Sequence, residues 1–161
     1  MRASREPRRR AAAGNAGHDE SMANPDPLEI NAHVIAQFRA GGPVEGMHRD
    51  RLLLLTTTGR TSGAERTAPM MFHLDPGPPP RHVVIASNMG APHDPAWFAN
   101  LVADPRVHVE LDDDEFDARA VVLTGAEHDR VWADVTAANP FFLEHLDRAG
   151  RVIPLVALER L

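Results

Sequence analysis

Apolar residues change their spacing several times along the chain, and each change marks an element. In "NPDPLEINAHVIAQFRAGG", Leu28, Val34, Ile35 and Phe38 recur at helical spacing and predict one apolar face. Asp26 is placed to cap this helix, Pro27 suits its first position, and Glu29 falls where a capping box needs it. Gly41, Gly42 and Pro43 end it. Three β-leaning runs follow, "RLLLLTTT" (51–58), "RTAPMMFHL" (66–74) and "HVVIAS" (82–87), the last two separated by "DPGPPPR". Asp94 and Pro95 then start a short helix, "PAWFANLVA", which stops at Asp104–Pro105.

Beyond it, Val107, Val109 and Leu111 alternate with polar residues, so "RVHVEL" and "FDARAVVL" read as a hairpin around the acidic turn "DDDE". Val131, Trp132 and Val135 share a helical face within 126–138, and Asn139–Pro140 starts a further turn or two that ends near Gly150. "VIPLVAL" (152–158) is a final strand. No repeat is visible. About six strands with hairpin-like links predict a mainly β domain with flanking α-helices, built as a small barrel. A doubly wound parallel sheet would need a helix between most strands.

Composition narrows the functional classes. The chain has 161 residues, enough for one domain with a sizeable core. Its net charge of −6 argues against a general nucleic-acid binder. Cysteine is absent, which excludes disulfides and thiol catalysis. Residues 1–24 differ from the rest: Arg2, Arg5, Arg8, Arg9 and Arg10 are followed by almost nothing that could enter a core. That stretch reads as a disordered upstream extension, with Met22 as the working initiator and 25–161 as the folded domain. "AAAGNAG" is too short and polar for a signal peptide, so the expected location is cytoplasmic. The arginine-rich tail is suited to peripheral contact with an anionic membrane surface on its inner face.

Two segments carry candidate chemistry. "TTTGRTSGAERTAP" (56–69) places Arg60, Ser62 and Arg66 in a turn that needs only glycine. Read alone it is a hairpin with solvated arginines; its functional alternative is a cradle for a polyanion, with charge-assisted bonds and close backbone approach. It lacks the lysine and spacing of a P-loop. In "ASNMGAPHDPAWFANLVADP" (86–105), Ser87 ends a strand and Asp94–Pro95 opens a helix, a junction that presents N–H groups to an anion or carbonyl. Trp97 and Phe98 could wall a planar ring, although aromatics at a helix start are usually core. Ser87 lacks a G-x-S-x-G context, which disfavours a hydrolase. The scattered histidines form no metal motif, His108 reads as solvated, and "DDDE" reads as a solvated turn rather than a calcium loop.

Taken together, "LLLLTTTGRTSGAERTAPM", "VVIASNMGAPHDPAWFANLVADPRVHVEL" and "RVIPLVALE" resemble the deazaflavin-dependent nitroreductases and quinone reductases of actinobacteria, across roughly Leu28 to Leu158. The resemblance implies a split β-barrel that binds reduced coenzyme F420, a 5-deazaflavin with a phosphate and an oligoglutamate tail. It implies that Arg60, Thr61, Ser62 and Arg66 hold the anionic end. Thr67, Ala68, Pro69, Met70, Met71 and Phe72 would line the ring and linker. Ile85, Ala86, Ser87 and Asn88 would edge the deazaflavin, with Ser87 near the reacting carbon or the acceptor. Ala96, Trp97, Phe98, Ala99 and Asn100 would add helix N-terminal contacts.

The implied chemistry is hydride transfer from the cofactor to a small-molecule quinone, nitro or activated-alkene acceptor, with protonation. Two positions depart from the family pattern. Thr61 stands where a lysine is common. Asn139, Phe142 and His145 stand in the substrate pocket where nitroreductase members carry tyrosines, which favours a quinone over bicyclic nitro compounds. Two rival readings are an FMN-dependent split-barrel oxidoreductase and a non-catalytic F420-binding or carrier protein.

Overall fold

The computed structural model describes residues 27–161, so the expected N-terminal extension and the Asp26 cap lie outside the described residues. Helix α1 (Pro27–Ala40) is followed by β1 (Leu52–Thr58), β2 (Glu65–Asp75) and β3 (Arg81–Ile85). Helix α2 (Ala96–Ala103) leads to β4 (Arg106–Glu110) and β5 (Glu115–Val122), then α3 (Gly125–Ala138), α4 (Phe141–Ala149) and β6 (Leu155–Arg160). The six strands close into an antiparallel barrel in the order β1-β2-β3-β6-β5-β4.

The run of leucines in β1 is buried on both faces, and the pleat explains why. Leu53 and Leu55 point into the barrel with Val84, Val109, Phe116 and Val156, whereas Leu52 and Leu54 point outward under Val34 and Phe38 of α1. On the opposite outer wall, α3 and α4 cover Val83, Leu155 and Ala157 through Val131, Val135 and Phe142. Leu28, assigned by spacing to the apolar face of α1, is instead 75% exposed, six residues before Val34, where the helix meets the barrel.

Three other expectations change. Asp94 does not cap α2: the N-cap is Pro95, and the Asp94 carboxylate binds Arg151 at 2.6 Å. The final strand begins at Leu155 rather than at 152, because Pro154 has no N–H for a ladder and its carbonyl accepts from Ala86 N–H. The acidic turn is not merely solvated. Asp112 binds Arg49, Asp114 binds Arg160, and His108 is held between Glu115 (2.6 Å) and Asp117 (2.8 Å). Asp117 foremost, and then Glu115, raises the His108 pKa above the ordinary histidine value.

The far end of β2 carries the strongest buried ion pair. Asp75 has a side chain only 2% exposed, and it accepts from Arg81 (3.0 Å) and from Arg130 of α3 (3.1 and 3.3 Å). Those bonds, Arg130 first, hold its carboxyl below the usual carboxylate range. A cleft of about 750 Å³ opens beside it, lined by the Pro78–Pro80 loop, His82, Phe116 and Arg160. That cleft is at the β2–β3 end of the barrel, one full strand away from the β1–β2 hairpin.

Candidate active site

The β1–β2 hairpin turns between Thr58 and Glu65. Gly59 N–H donates to the Ala64 carbonyl (2.7 Å) and Gly63 N–H to the Gly59 carbonyl (2.8 Å), while Ser62 Oγ accepts from Ala64 N–H (3.2 Å). Gly59 has no room for a side chain, since a Cβ there would meet Ser62 Oγ at 2.8 Å and the Ala64 carbonyl at 3.1 Å. Gly63 has a φ of +69°, the left-handed region that suits glycine.

The turn is tied to α2 by one buried amide. Asn100 accepts from Arg60 N–H (3.2 Å) and donates to Thr57 Oγ1 (3.1 Å). Asn100→Ala leaves both partners without it and is expected to cost about 1–2 kcal/mol. A denaturant midpoint unchanged within error would contradict that bond pair.

Among the twelve described arginines, Arg51, Arg60, Arg66, Arg119 and Arg148 make no ion pair, and two of these five share this one hairpin. Arg39, Arg49, Arg81, Arg106, Arg130, Arg151 and Arg160 are all paired with carboxylates. The side chains of Arg60 and Arg66 have no hydrogen bond or ion pair among the described residues, and both are exposed. Thr61 is equally exposed and unengaged. The backbone N–H groups of Thr61 and Ser62 likewise have no partner among the described residues. Two unpaired arginines beside free N–H groups and hydroxyls in one turn make a donor-rich patch suited to an anion.

Between the hairpin and the barrel wall, β2 has an open edge. Its pairing with β3 covers only Phe72 to Asp75, so residues 65–71 face β1 on one side and no strand on the other. Pro69, which lacks an N–H, falls in this free stretch, where no ladder bond is lost. The pleat divides the residues expected to line a ring. Met70 and Phe72 point into the barrel core, and Ala68 shares their face. Thr67, Pro69, Met71 and His73 point outward and are half-buried. Ile85 is on the outer face of β3 beside them. The His73 imidazole presents one buried nitrogen, Nε2, that has no hydrogen-bond partner. Sequence reading missed His73, because a strand histidine carries no motif.

Past Ile85 the chain leaves the barrel in a strained loop. Asn88 and Met89 adopt φ values of 49° and 56°, unusual for residues other than glycine. Gly90 presses on α4 so closely that a Cβ would lie 3.2 Å from His145 Cα and from the His145 carbonyl. Arg151 holds the loop from behind, donating to the carbonyls of Ala86, Ser87, Ala91 and His93 and binding the Asp94 carboxylate. Ala86 is fully buried, and the Asn88 amide donates to the His93 carbonyl at 3.1 Å.

The loop brings together two residues 58 positions apart. Ser87 Oγ is 3.2 Å from His145 Nδ1, and the two residues are 7% and 8% exposed. Burial foremost, and then Arg148, lowers the His145 pKa below the ordinary histidine value, which disfavours the imidazolium. Of the other helix positions, Phe142 stays beside the His145 ring, with centroids 5.6 Å apart, but is core rather than pocket wall. Phe142 belongs to the outer core with Val83 and Val131, and Asn139 ends α3 with its N–H donated to the Val135 carbonyl. Phe141 was overlooked; it is 40% exposed, contacts the His145 ring edge, and with Met89 (76% exposed) leaves apolar surface near Ser87. On α2, Ala96 is exposed, Ala99 is half-buried, and Trp97 and Phe98 pack against the barrel core.

The residues fit a long anionic flavin analogue. Unpaired cations and free N–H groups stand at one end, a free strand edge with a partnerless imidazole nitrogen in the middle, and a buried hydroxyl at the other. Comparison with known proteins agrees. Residues 30–160 match the profile of the F420H(2)-dependent quinone reductase family. The F420H(2)-dependent quinone reductase Rv1261c of Mycobacterium tuberculosis is 31% identical over 111 residues, 67% of this chain and 72% of that protein. Rv3178 of the same organism is 31% identical over 106 residues, 66% of this chain and 87% of that protein. The solved structure of an F420-H2 dependent reductase, FDR-A, superimposes with a TM-score of 0.61 at 32% identity, covering 71% of this chain and all of that one. With its split-barrel fold and this match along nearly all of the described residues, the chain belongs to the F420H(2)-dependent quinone reductase family and is a reductase that uses reduced F420.

Proposed function

We propose that this protein reduces a quinone with reduced F420, holding the cofactor along the open edge of β2. The carrying observation is that this free edge runs from the turn with unpaired Arg60 and Arg66 to the point where pairing with β3 begins, and β3 ends at Ile85, two residues before Ser87. Arg60, Arg66, Ser62 and the free N–H groups of the turn bind the phosphate and glutamate tail through charge-assisted bonds. Thr61 adds a hydroxyl but no charge. Thr67, Pro69, Met71 and Ile85 form the surface against the ring and linker, while Ala68, Met70 and Phe72 support it from within the barrel. Asn100 fixes the turn, and Ala96 to Ala99 present the start of α2 to the cofactor.

When bound, the reduced deazaflavin supplies the hydride. The chain orients the acceptor, excludes water and meets charge that develops on the acceptor oxygen with the Ser87 hydroxyl. Phe141 and Met89 give the acceptor an apolar entrance, which suits a quinone with a hydrophobic substituent better than a charged substrate. Nitro and activated-alkene acceptors are secondary, because Asn139, Phe142 and His145 offer no tyrosine hydroxyl.

Oxidation of F420H2, followed by the return of deazaflavin absorbance, tests this reading with menadione, a nitroaromatic and an enone as acceptors. Menadione is expected to give the highest kcat/KM. Failure with every quinone, alongside binding of F420, would instead support a carrier.

A further inference from the structure

Reducing a quinone requires a proton as well as a hydride, and most of the polar groups near the open edge are engaged elsewhere. Asn100 is spent on the hairpin, Asn88 on the His93 carbonyl, and Arg151 on the loop and Asp94. Ser87 is different. Its hydroxyl can accept from one partner while donating to another. Its partner is His145 Nδ1, and the opposite nitrogen, Nε2, has no hydrogen bond among the described residues yet is not sealed from solvent as His73 Nε2 is.

We propose that Ser87 and His145 form a proton relay that carries a proton from solvent to the oxygen of the quinone being reduced. The proposal rests on the quinone reductase reading above. The quinone takes two electrons and one hydrogen as hydride, and a second proton completes the hydroquinone. As the Ser87 O–H bond breaks and the new O–H bond forms on the substrate, Ser87 Oγ takes the proton from His145 Nδ1. Nε2 takes one from a hydronium ion or buffer acid. The imidazole changes tautomer, and no net charge remains in a buried site.

Several contacts make the pair rigid. Gly90 is pressed against His145 from the loop side, and Phe141 and Phe142 flank the ring at 5.6 Å. The charged groups around it are balanced: Arg148 and Glu144 on α4 act on the ring in opposite directions, and across the loop Arg151 is neutralised by Asp94. Burial of the ring disfavours its charged form, which suits a relay that swaps tautomers. His145 acts through Ser87 and is a positioning and relay residue; Ser87 touches the substrate.

The test has two arms. In the cofactor-free protein, 15N NMR of labelled histidine reports the His145 tautomer, and Ser87→Ala is expected to shift its Nδ1 resonance. In turnover with F420H2 and menadione, Ser87→Ala and His145→Gln are each expected to lower kcat about 100-fold. The double variant should fall no further, because either change alone already breaks the same path. Glutamine keeps a hydrogen bond to Ser87 but cannot pass a proton, so it would rescue a merely structural role. An unmoved His145 resonance, an H145Q variant within about threefold of wild type, or losses that multiply in the double variant would each overturn the relay. A wild-type protein that oxidises no F420H2 with any quinone overturns the function reading too, whereas those three results beside full wild-type turnover overturn the relay alone.

Discussion

Asp75→Asn is expected to destabilise the protein by about 3 kcal/mol, the largest stability change of any single polar substitution considered. Asp75 is 1% exposed and stitches three elements, being on β2 with Arg81 of β3 and Arg130 of α3 as donors. Removing one partner of a buried pair leaves the others desolvated without compensation, which typically costs 3–5 kcal/mol. The lower end applies here, because Arg130 is 54% exposed and recovers water, and Arg81 keeps Glu127 at 2.6 Å. For a domain of this size about 3 kcal/mol corresponds to a fall in Tm of roughly 6–12 °C. Arg130→Ala should lose less.

The same pair predicts a pH response. The Asp75 pKa is lower in the folded state, so its stabilisation is complete above the unfolded value of about 4 and is lost as pH falls through the folded value. The Tm of the wild type should therefore converge on that of D75N in acid. Equal separation of the two melting curves at pH 7 and in acid would show that the carboxylate charge is not what is lost.

The second large effect concerns binding. Arg60→Ala and Arg66→Ala are each expected to weaken F420 about tenfold, and the double variant about 100-fold at low ionic strength. The reason is positional. Both arginines flank one tight turn, neither makes an ion pair among the described residues, and the turn is fixed by Asn100, so on the proposed reading both charges are available to the tail. Exposure means screening, and the loss should shrink as salt rises past physiological strength. A deazaflavin without the phosphate and glutamates should lose little. Thr61→Lys should tighten the long-tailed cofactor several-fold, since it adds a third positive charge to the turn. Equal losses for tailed and tail-less ligands would remove the arginines from the tail site.

Much of the fold was legible from residues. The four leucines of β1, the alternation of Val107 and Val109, and the hairpin glycines led to a small barrel because each depends on local periodicity or φ. The proposed cationic cradle has only its residue types visible in the sequence. Arg60 and Arg66 were visible as surplus charge, but that they lack partners depends on where every carboxylate folds. The lining residues 67–72 read as one set, although a strand must present them alternately to two faces.

Long-range contacts were not legible. Asp94 seemed a cap until Arg151, 57 positions later, claimed its carboxylate, and nothing near Ser87 announces His145. His108 and the acidic turn looked solvated because their partners are set by hairpin register and by α1's connector.

The most direct measurement is a fluorescence titration of the full chain with F420, with FMN and with a tail-less deazaflavin, at low and high salt. F420 is expected to bind at least tenfold more tightly than either rival at low salt, and this preference is expected to collapse as salt is added. Tighter binding of FMN, or an F420 affinity indifferent to both tail and salt, would contradict that expectation.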